Sequence, residues 1–321
     1  MGFGALALCS ADGFEVALLR VRAQAELSER RQLRFFPQQE LPWAGSLAVL
    51  LWPYAPAELP GEGEVFVDSY YRASNAAYHA ARALQARLTE AGVHAQANVP
   101  YPAREAAVRA GLGIIGQSGL LISPQFGTRT VIILMATELP APQGADGQTD
   151  GSCLRCGRFA RACPGGAIDE QGMSHPERCL RNYMMEGTVV PEPLRGKMGR
   201  RLLGCDVCQR VCPMQPAMEQ EPVGAALGSL VTCDEAAFSQ TVRKLAQVIG
   251  KNVARPQRLR AQAALLSANA GRTQDIPVLR EWAQSPFEAV RVHAQWALKR
   301  LEAAKNCASS PSGVDPEGKR D

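Results

Sequence analysis

The chain has 321 residues, of which 46% are hydrophobic and 21% charged, and a net charge of +4. That length supports two or three compact domains, and that balance excludes both wholesale disorder and a fibrous class. The basic residues gather in two stretches, Arg195, Lys197, Arg200 and Arg201, then Arg255, Arg258 and Arg260, a pattern suited either to an anionic partner or to a solvated face.

The longest apolar stretches, Ala44 to Trp52 and Thr130 to Ala136, fall well short of the roughly 20 residues that span a bilayer, so no membrane association is expected. Met1 to Cys9 lacks a signal-peptide plan, and Leu6 spoils the myristoylation pattern after Gly2, which points to a cytoplasmic protein. Residues 1–140 alternate apolar runs with helical patterns, as in an α/β domain. Ser46 to Tyr54 and Thr130 to Glu138 read as buried strands, and Ser74 to Ala91 as an amphipathic helix. Pro140 to Gly151, rich in Pro, Gly, Gln and Asp, reads as a connector. Residues 141–234 hold the clustered cysteines. From Glu235 the pattern is helical: Asn252 to Ala270 and Asp275 to Ala304 are apolar-periodic, parted at Gly271 and broken at Ser285-Pro286, as in a short helical-hairpin repeat over 235–306. The tail, 307–321, has little to bury and reads as disordered. The expected fold class is α+β.

Seven of the ten cysteines lie between Cys153 and Cys212, while Cys9, Cys233 and Cys307 follow no spacing. In a cytosolic chain such clustering indicates metal rather than disulfides. The first block runs Cys153-Leu-Arg-Cys156-Gly-Arg-Phe159-Ala-Arg-Ala-Cys163-Pro164, the second runs Cys205-Asp-Val-Cys208-Gln-Arg-Val-Cys212-Pro213, and Cys179 stands between them. In the ferredoxin pattern CxxCxxCxxxCP the fourth cysteine ligates the other cluster. By that crossover Cys153, Cys156 and Cys212 share one cluster, and Cys163, Cys179, Cys205 and Cys208 complete a second. Phe159 occupies the third position of the first block, so one site is complete and one lacks a thiolate. CxxC pairs also suit tetrahedral zinc, but the two Cys-Pro endings favour an iron–sulfur, 4Fe-4S, reading.

Gly111-Leu-Gly113-Ile-Ile-Gly116 matches GxGxxG, yet a dinucleotide site needs a preceding strand and Arg104 to Ala110 reads as helix. The glycines instead suggest close backbone approach, as to a large flat ligand. Met184 and Met185 read as core, and His94, His175 and His293 as packing or solvent-facing residues.

Over most of its length the chain resembles the epoxyqueuosine reductases, cobalamin-dependent iron–sulfur enzymes of tRNA modification. The resemblance is carried by Arg109 to Ile122 with Pro124 and Phe126-Gly127, similar to an AGLGxIGKNxLLIxPxFG signature. The cysteine plan, with Cys179 and the Gly204 to Pro213 block, and a HEAT-type repeat signature at Val290 to Leu298 carry the rest. It implies an N-terminal α/β cobalamin-binding domain, a ferredoxin-like two-cluster insert and a C-terminal HEAT-like helical repeat. It also implies electrons from an external donor, a tRNA anticodon stem-loop as substrate and reduction of epoxyqueuosine to queuosine by a chain acting as a monomer. Tyr71, Tyr78 and His79, together with Gly113, Gly116, Gln117 and Ser118, are the implied cofactor-binding residues.

Departures fall on the chemistry. Where the family carries an aspartate proton donor, this sequence reads Gln96 to Arg104 with no carboxylate, leaving Asn98, Tyr101 and Glu105 as catalytic candidates. Gln117 stands where the family has lysine. Pro100 and Arg104 to Gly113 resemble, over a shorter stretch, the reductive dehalogenases. Two other readings follow: a corrinoid and iron–sulfur reductase or electron-transfer protein acting on another substrate, and a non-enzymatic RNA-binding protein with a structural cluster.

Overall fold

The structure, a computed structural model, describes residues 2–22, 34–142, 151–169, 172, 175–221, 224–232 and 234–309. Most of the predicted connector lies outside the described residues, as does Cys233; of the tail predicted over 307–321, residues 307–309 end a helix and those from 310 onward lie outside the described residues.

The first layer is a four-stranded sheet. Strands β1 (Ala5–Ser10) and β2 (Ser46–Pro53) pair antiparallel, with Leu50 of β2 opposite Ile133. After helix α1 (Glu15–Arg22), strand β3 (Glu64–Val67), helix α2 (Ser69–Glu90), strand β4 (Ala95–Ala97) and helix α3 (Ala103–Arg109), strand β5 (Thr130–Thr137) completes the order β1-β2-β5-β4. Every pairing in it is antiparallel, so the predicted α/β layer is a helix-covered antiparallel sheet, not the parallel sheet usual for that class.

The two predicted apolar runs are its middle strands, and alternation explains why both read as continuous. Leu47, Val49 and Leu51 face one core with Phe14, Ala17, Ala106 and Leu134, whereas Ala48 and Leu50 face a second with Ala73, Ala77, Ala81 and Ile133. Both faces of these strands are buried, so neither needs a polar side. Helix α2 covers the second face with alanines at every fourth position, which let it lie close to the sheet. Its start is five residues earlier than periodicity suggests, because Asp68 caps it: the carboxylate accepts from Tyr70 N–H at 3.0 Å.

Strand β3 belongs elsewhere. It pairs parallel with β6 (Arg201–Leu203) and antiparallel with β7 (Gly224–Ala226), joining the first layer to the cysteine-bearing segment. That segment carries only short helices, α4 (Arg158–Ala162), α5 (Leu180–Glu186) and α6 (Val207–Arg210). Helices this short are marginal alone and depend on tertiary packing. Leu180, Met184, Leu194, Met198 and Leu203 supply it by sharing one core with Val65, Val67 and the C-terminal helices.

Those helices are α7 (Glu235–Ile249), α8 (Pro256–Asn269), α9 (Ile276–Trp282) and α10 (Glu288–Ser309). Helix α8 is buried nearly all round, with Leu259, Ala263, Leu265 and Leu266 inaccessible, and packs on Val290, Ala294, Ala297 and Leu301 of α10. The predicted segment from Asp275 to Ala304 is two helices, parted around the Ser285-Pro286 break. The shared core crosses position 234 without interruption. Among the described residues no helix is long and apolar enough to cross a membrane.

Candidate functional site

The described cysteines of the clustered region fall into two groups. Cys163 ends α4, Cys179 precedes α5, and Cys205 and Cys208 flank the start of α6. The last two are brought within electrostatic reach of the others: burial pushes the Cys208 thiol up to about 12, assisted by Cys205, Cys179 and Cys163. Burial likewise pushes Cys205 up to about 11, against the lowering effect of a Val207 N–H bond to its sulfur. Ala167 N–H donates to Cys163 Sγ at 3.3 Å. Thiols held this far from ionisation become thiolates only with a cation to offset the buried charge.

The second group is Cys153, Cys156 and Cys212. Burial raises Cys212 first, Met214 N–H bonding its sulfur lowers it, and Cys153 and Cys156 raise it again. Gln117 N–H reaches Cys153 Sγ at 3.5 Å. Phe159 is buried on α4 and lines the small pocket between these thiols with Ser118 and Met214. Beside Cys212 opens a cleft of about 440 Å³ lined by Arg158, Arg161 and Arg210.

The cofactor residues predicted from the glycine signature lie at this second group. A Cβ on Gly113 would meet the Ile122 carbonyl at 2.5 Å, and one on Gly116 would meet Ile122 Cδ1 at 2.6 Å and Cys153 Sγ at 3.7 Å. The glycines allow close approach within the hairpin of Ile114–Ile115 and Leu121–Ile122. Tyr71, Tyr78 and His79 line a different cavity, so the structure divides the predicted set in two.

That cavity is a cleft of about 730 Å³ between α2 and the end of α7, walled by Tyr70, Tyr71, Tyr78, His79, Asn75, Gln247 and Asn252, with Arg181 and Lys251 as its cationic groups. Arg181 lies 4.6 Å over the Tyr70 ring and 6.0 Å from that of Tyr71. Despite burial, its guanidinium is held protonated by the neighbouring Tyr71, Tyr70 and Asp68. Met184 is core, as predicted, while Met185 lines this cleft.

The cleft and the four-thiol group share a wall. Arg181 follows Cys179 by two residues. Gly204, at φ +84 and directly before Cys205, lies so close that an added Cβ would meet Asp68 Cβ at 2.4 Å and Tyr71 at 2.8 Å, so only glycine fits there. Asp68 is the functional candidate that motif reading missed. It is 3% exposed, and burial followed by the charge of Asp206 pushes its carboxyl up to about 6. The available signal was an Asp-Ser pair between an apolar run and a helix, which announces a cap and nothing more. Asp206 itself is buried between Arg129 at 3.3 Å and Arg210 at 2.8 Å, anchoring α6 to the first layer.

Asn98, Tyr101 and Glu105 line none of these three cavities. Tyr101 packs into the core face with Val99 and Ala106. Asn98 sits at φ 61 with its buried Nδ2 unpartnered, and Glu105 is half-buried on α3. The predicted basic stretches are also corrected in part. Arg195 and Arg258 are interior, bonding Val190 and Val253 carbonyls at 2.9 Å each, while Lys197, Arg200 and Arg255 remain exposed. His293, expected as packing, is fully buried between Val190 N–H and the Ala261 carbonyl, each at 2.9 Å.

Fold and site together define an iron–sulfur protein of the double-cluster type: residues 152–215 match the 4Fe-4S double cluster binding domain. The chain is similar in sequence to the epoxyqueuosine reductases and has their fold. It is 31% identical to the epoxyqueuosine reductase of Lactococcus garvieae over 61% of this chain and 57% of that one, so it spans little more than half the length of the curated relatives it matches. A selenomethionine-labelled epoxyqueuosine reductase superposes with a TM-score of 0.76 at 20% identity, covering 97% of this chain and 92% of the other. An epoxyqueuosine reductase with a tRNA-Tyr epoxyqueuosine-modified stem loop does so at 0.75 and 21%, with the same coverage.

Proposed function

We propose that the chain reduces epoxyqueuosine to queuosine in tRNA, using iron–sulfur clusters and cobalamin with electrons from an external donor. The observation that carries this reading is the wall shared by the four-thiol group and the 730 Å³ cleft, through Arg181 and Gly204-Cys205. Cys163, Cys179, Cys205 and Cys208 are the proposed ligands of the cluster beside the cleft. Tyr70, Tyr71 and Tyr78 offer flat apolar surface, and Asn75, Gln247 and Asn252 offer amides, a wall that fits a planar macrocycle fringed with amide side chains. When bound, cobalamin supplies a strongly reducing centre for removing an epoxide oxygen.

Deoxygenating an epoxide to an alkene consumes two electrons and two protons and releases water. Asp68, set against Tyr71 and protonated up to about pH 6, is the proposed proton store in place of the aspartate missing near Asn98. Arg181 fixes positive charge at the wall. Exposed Lys197, Arg200, Lys251 and Arg255 are proposed to hold the phosphates of an anticodon stem-loop, which fixes position rather than reading sequence. The division into 1–140, 141–234 and a HEAT-like 235–306, a monomeric state and a cytoplasmic workplace belong to the same reading.

The absence of a carboxylate between Gln96 and Arg104 favours a second reading, a corrinoid and iron–sulfur reductase for another substrate. Anaerobic incubation of reconstituted protein, cobalamin and a strong reductant with epoxyqueuosine-containing tRNA, followed by nucleoside mass analysis, separates the two. Queuosine formation is the expected result. Bound cobalamin without conversion supports the second reading, and absence of cobalamin affinity defeats both.

A further inference from the structure

The three-thiol group does not fit a four-iron cluster. A cubane places iron at each of four corners, and each protein ligand takes one corner. Cys153, Cys156 and Cys212 supply three. The third position of the CxxCxxCxxxCP spacing is Phe159, whose side chain is 7% exposed and lines the same pocket as those thiols. A phenyl ring has no lone pair for iron, and it stands at the spacing position where the fourth thiolate would come. Cys208 also borders the pocket, but its thiol stands in the field of Cys205, Cys179 and Cys163. Among the described residues, the other side-chain heteroatoms on the pocket wall belong to Ser118, Arg158 and Met214: a hydroxyl, a cation and a thioether, none of them a ready substitute for thiolate on iron.

We propose that Cys153, Cys156 and Cys212 hold a three-iron cluster, [3Fe–4S], with the Phe159 ring standing where the fourth ligand would be. Such a cluster takes one thiolate per iron and turns bare sulfides toward its missing corner. An apolar ring tolerates sulfides and offers nothing to a fourth iron, so Phe159 selects the smaller cluster. Backbone N–H groups of Gln117 and Met214 already bond the sulfurs of Cys153 and Cys212, the kind of contact that stabilises thiolate ligands. The two sites then differ in kind: a four-iron cluster beside the cleft and a three-iron cluster beside the arginine-lined opening. This inference rests on the iron–sulfur reading of residues 152–215 and not on the substrate.

The test reconstitutes the intact chain anaerobically with isotopically enriched iron and sulfide, records Mössbauer spectra, and then records EPR spectra after stoichiometric oxidation by ferricyanide. About seven irons per chain are expected, four and three by site, with the odd-electron signal of an oxidised three-iron cluster that disappears on one-electron reduction, [3Fe–4S]⁺ to [3Fe–4S]⁰. Phe159→Cys should raise the count to about eight and leave the oxidised protein EPR-silent. Cys156→Ser, which removes one thiolate of the group, should lose the signal. About eight irons and no signal in the unsubstituted chain, or about four irons with the site empty, would overturn the inference. Survival of the signal in Cys156→Ser would do the same. Failure of queuosine formation with the three-iron signal present leaves this inference intact, and the converse outcome leaves the proposed function intact.

Discussion

The two cysteine groups share a spacing but not a setting. The four-thiol group lies between a continuous core and a ligand-sized cleft; its cysteines are half-buried, and desolvation pushes the Cys205 and Cys208 thiols up to about 11 and about 12. The three-thiol group lies outward, with Cys156 exposed and an arginine-lined opening beside Cys212. Burial beside a cleft suits a cluster that delivers electrons to a bound cofactor, and exposure beside fixed positive charge suits one that receives them from an acidic donor protein. Under the proposed function, a single sequence pattern would serve two roles because of what packs around it.

The largest consequence concerns activity. Cys179→Ser should abolish queuosine formation, by 100-fold or more on the scale of losing an essential group, while cobalamin and tRNA binding persist. Cys156→Ser should only slow turnover when a strong chemical reductant is supplied. Equal losses in the two variants would erase the distinction between the groups. Next comes stability on the four-thiol side. Asp206→Ala leaves Arg129, 4% exposed, without its partner, and should cost about 3–5 kcal/mol in urea unfolding.

Acid should also act on that side first. His293 accepts Val190 N–H through Nε2 and donates from Nδ1 to Ala261, so protonating Nε2 sets two donors against each other. Its pKa is lowered to about 4, chiefly by burial. The folded value lies below the unfolded one, so stability is complete above about pH 6.5 and falls as pH drops from there toward 4. The loss amounts to about 3 kcal/mol. A pH series of unfolding midpoints should show this slope, and His293→Gln should flatten it.

The smallest contrast is between two glycines. Gly204→Ala forces a positive φ and two sub-3 Å contacts with Asp68 and Tyr71, and should cost about 3 kcal/mol. Gly116→Ala meets mainly the movable end of Ile122 and should cost about 1 kcal/mol. Thermal unfolding of the pair measures the difference.

Much of this was legible in the sequence. The strands from Ser46 and Thr130 announce themselves because both faces are buried, and the cysteine spacing marks a double-cluster region. The three-stranded sheet of β3, β6 and β7 was not legible. Strands of three or four residues carry no period, and their pairing joins segments more than a hundred residues apart. Arg195 and Arg258 look like surface charge in sequence because burial of an arginine depends on carbonyls supplied by other turns. Asp68 was hidden for a similar reason: its raised pKa comes from burial by distant parts of the chain and then from the charge of Asp206, far off in sequence.

The decisive comparison is anaerobic turnover of epoxyqueuosine-containing tRNA by the reconstituted intact chain and by Asp68→Asn, which still caps α2. Both should bind cobalamin equally by absorbance. The unsubstituted chain should yield queuosine by nucleoside mass analysis, and Asp68→Asn should be about 10²–10⁴-fold slower, the usual range for a lost general acid. Absence of queuosine from the unsubstituted chain would contradict the proposed reduction, and equal rates would contradict a proton store at Asp68.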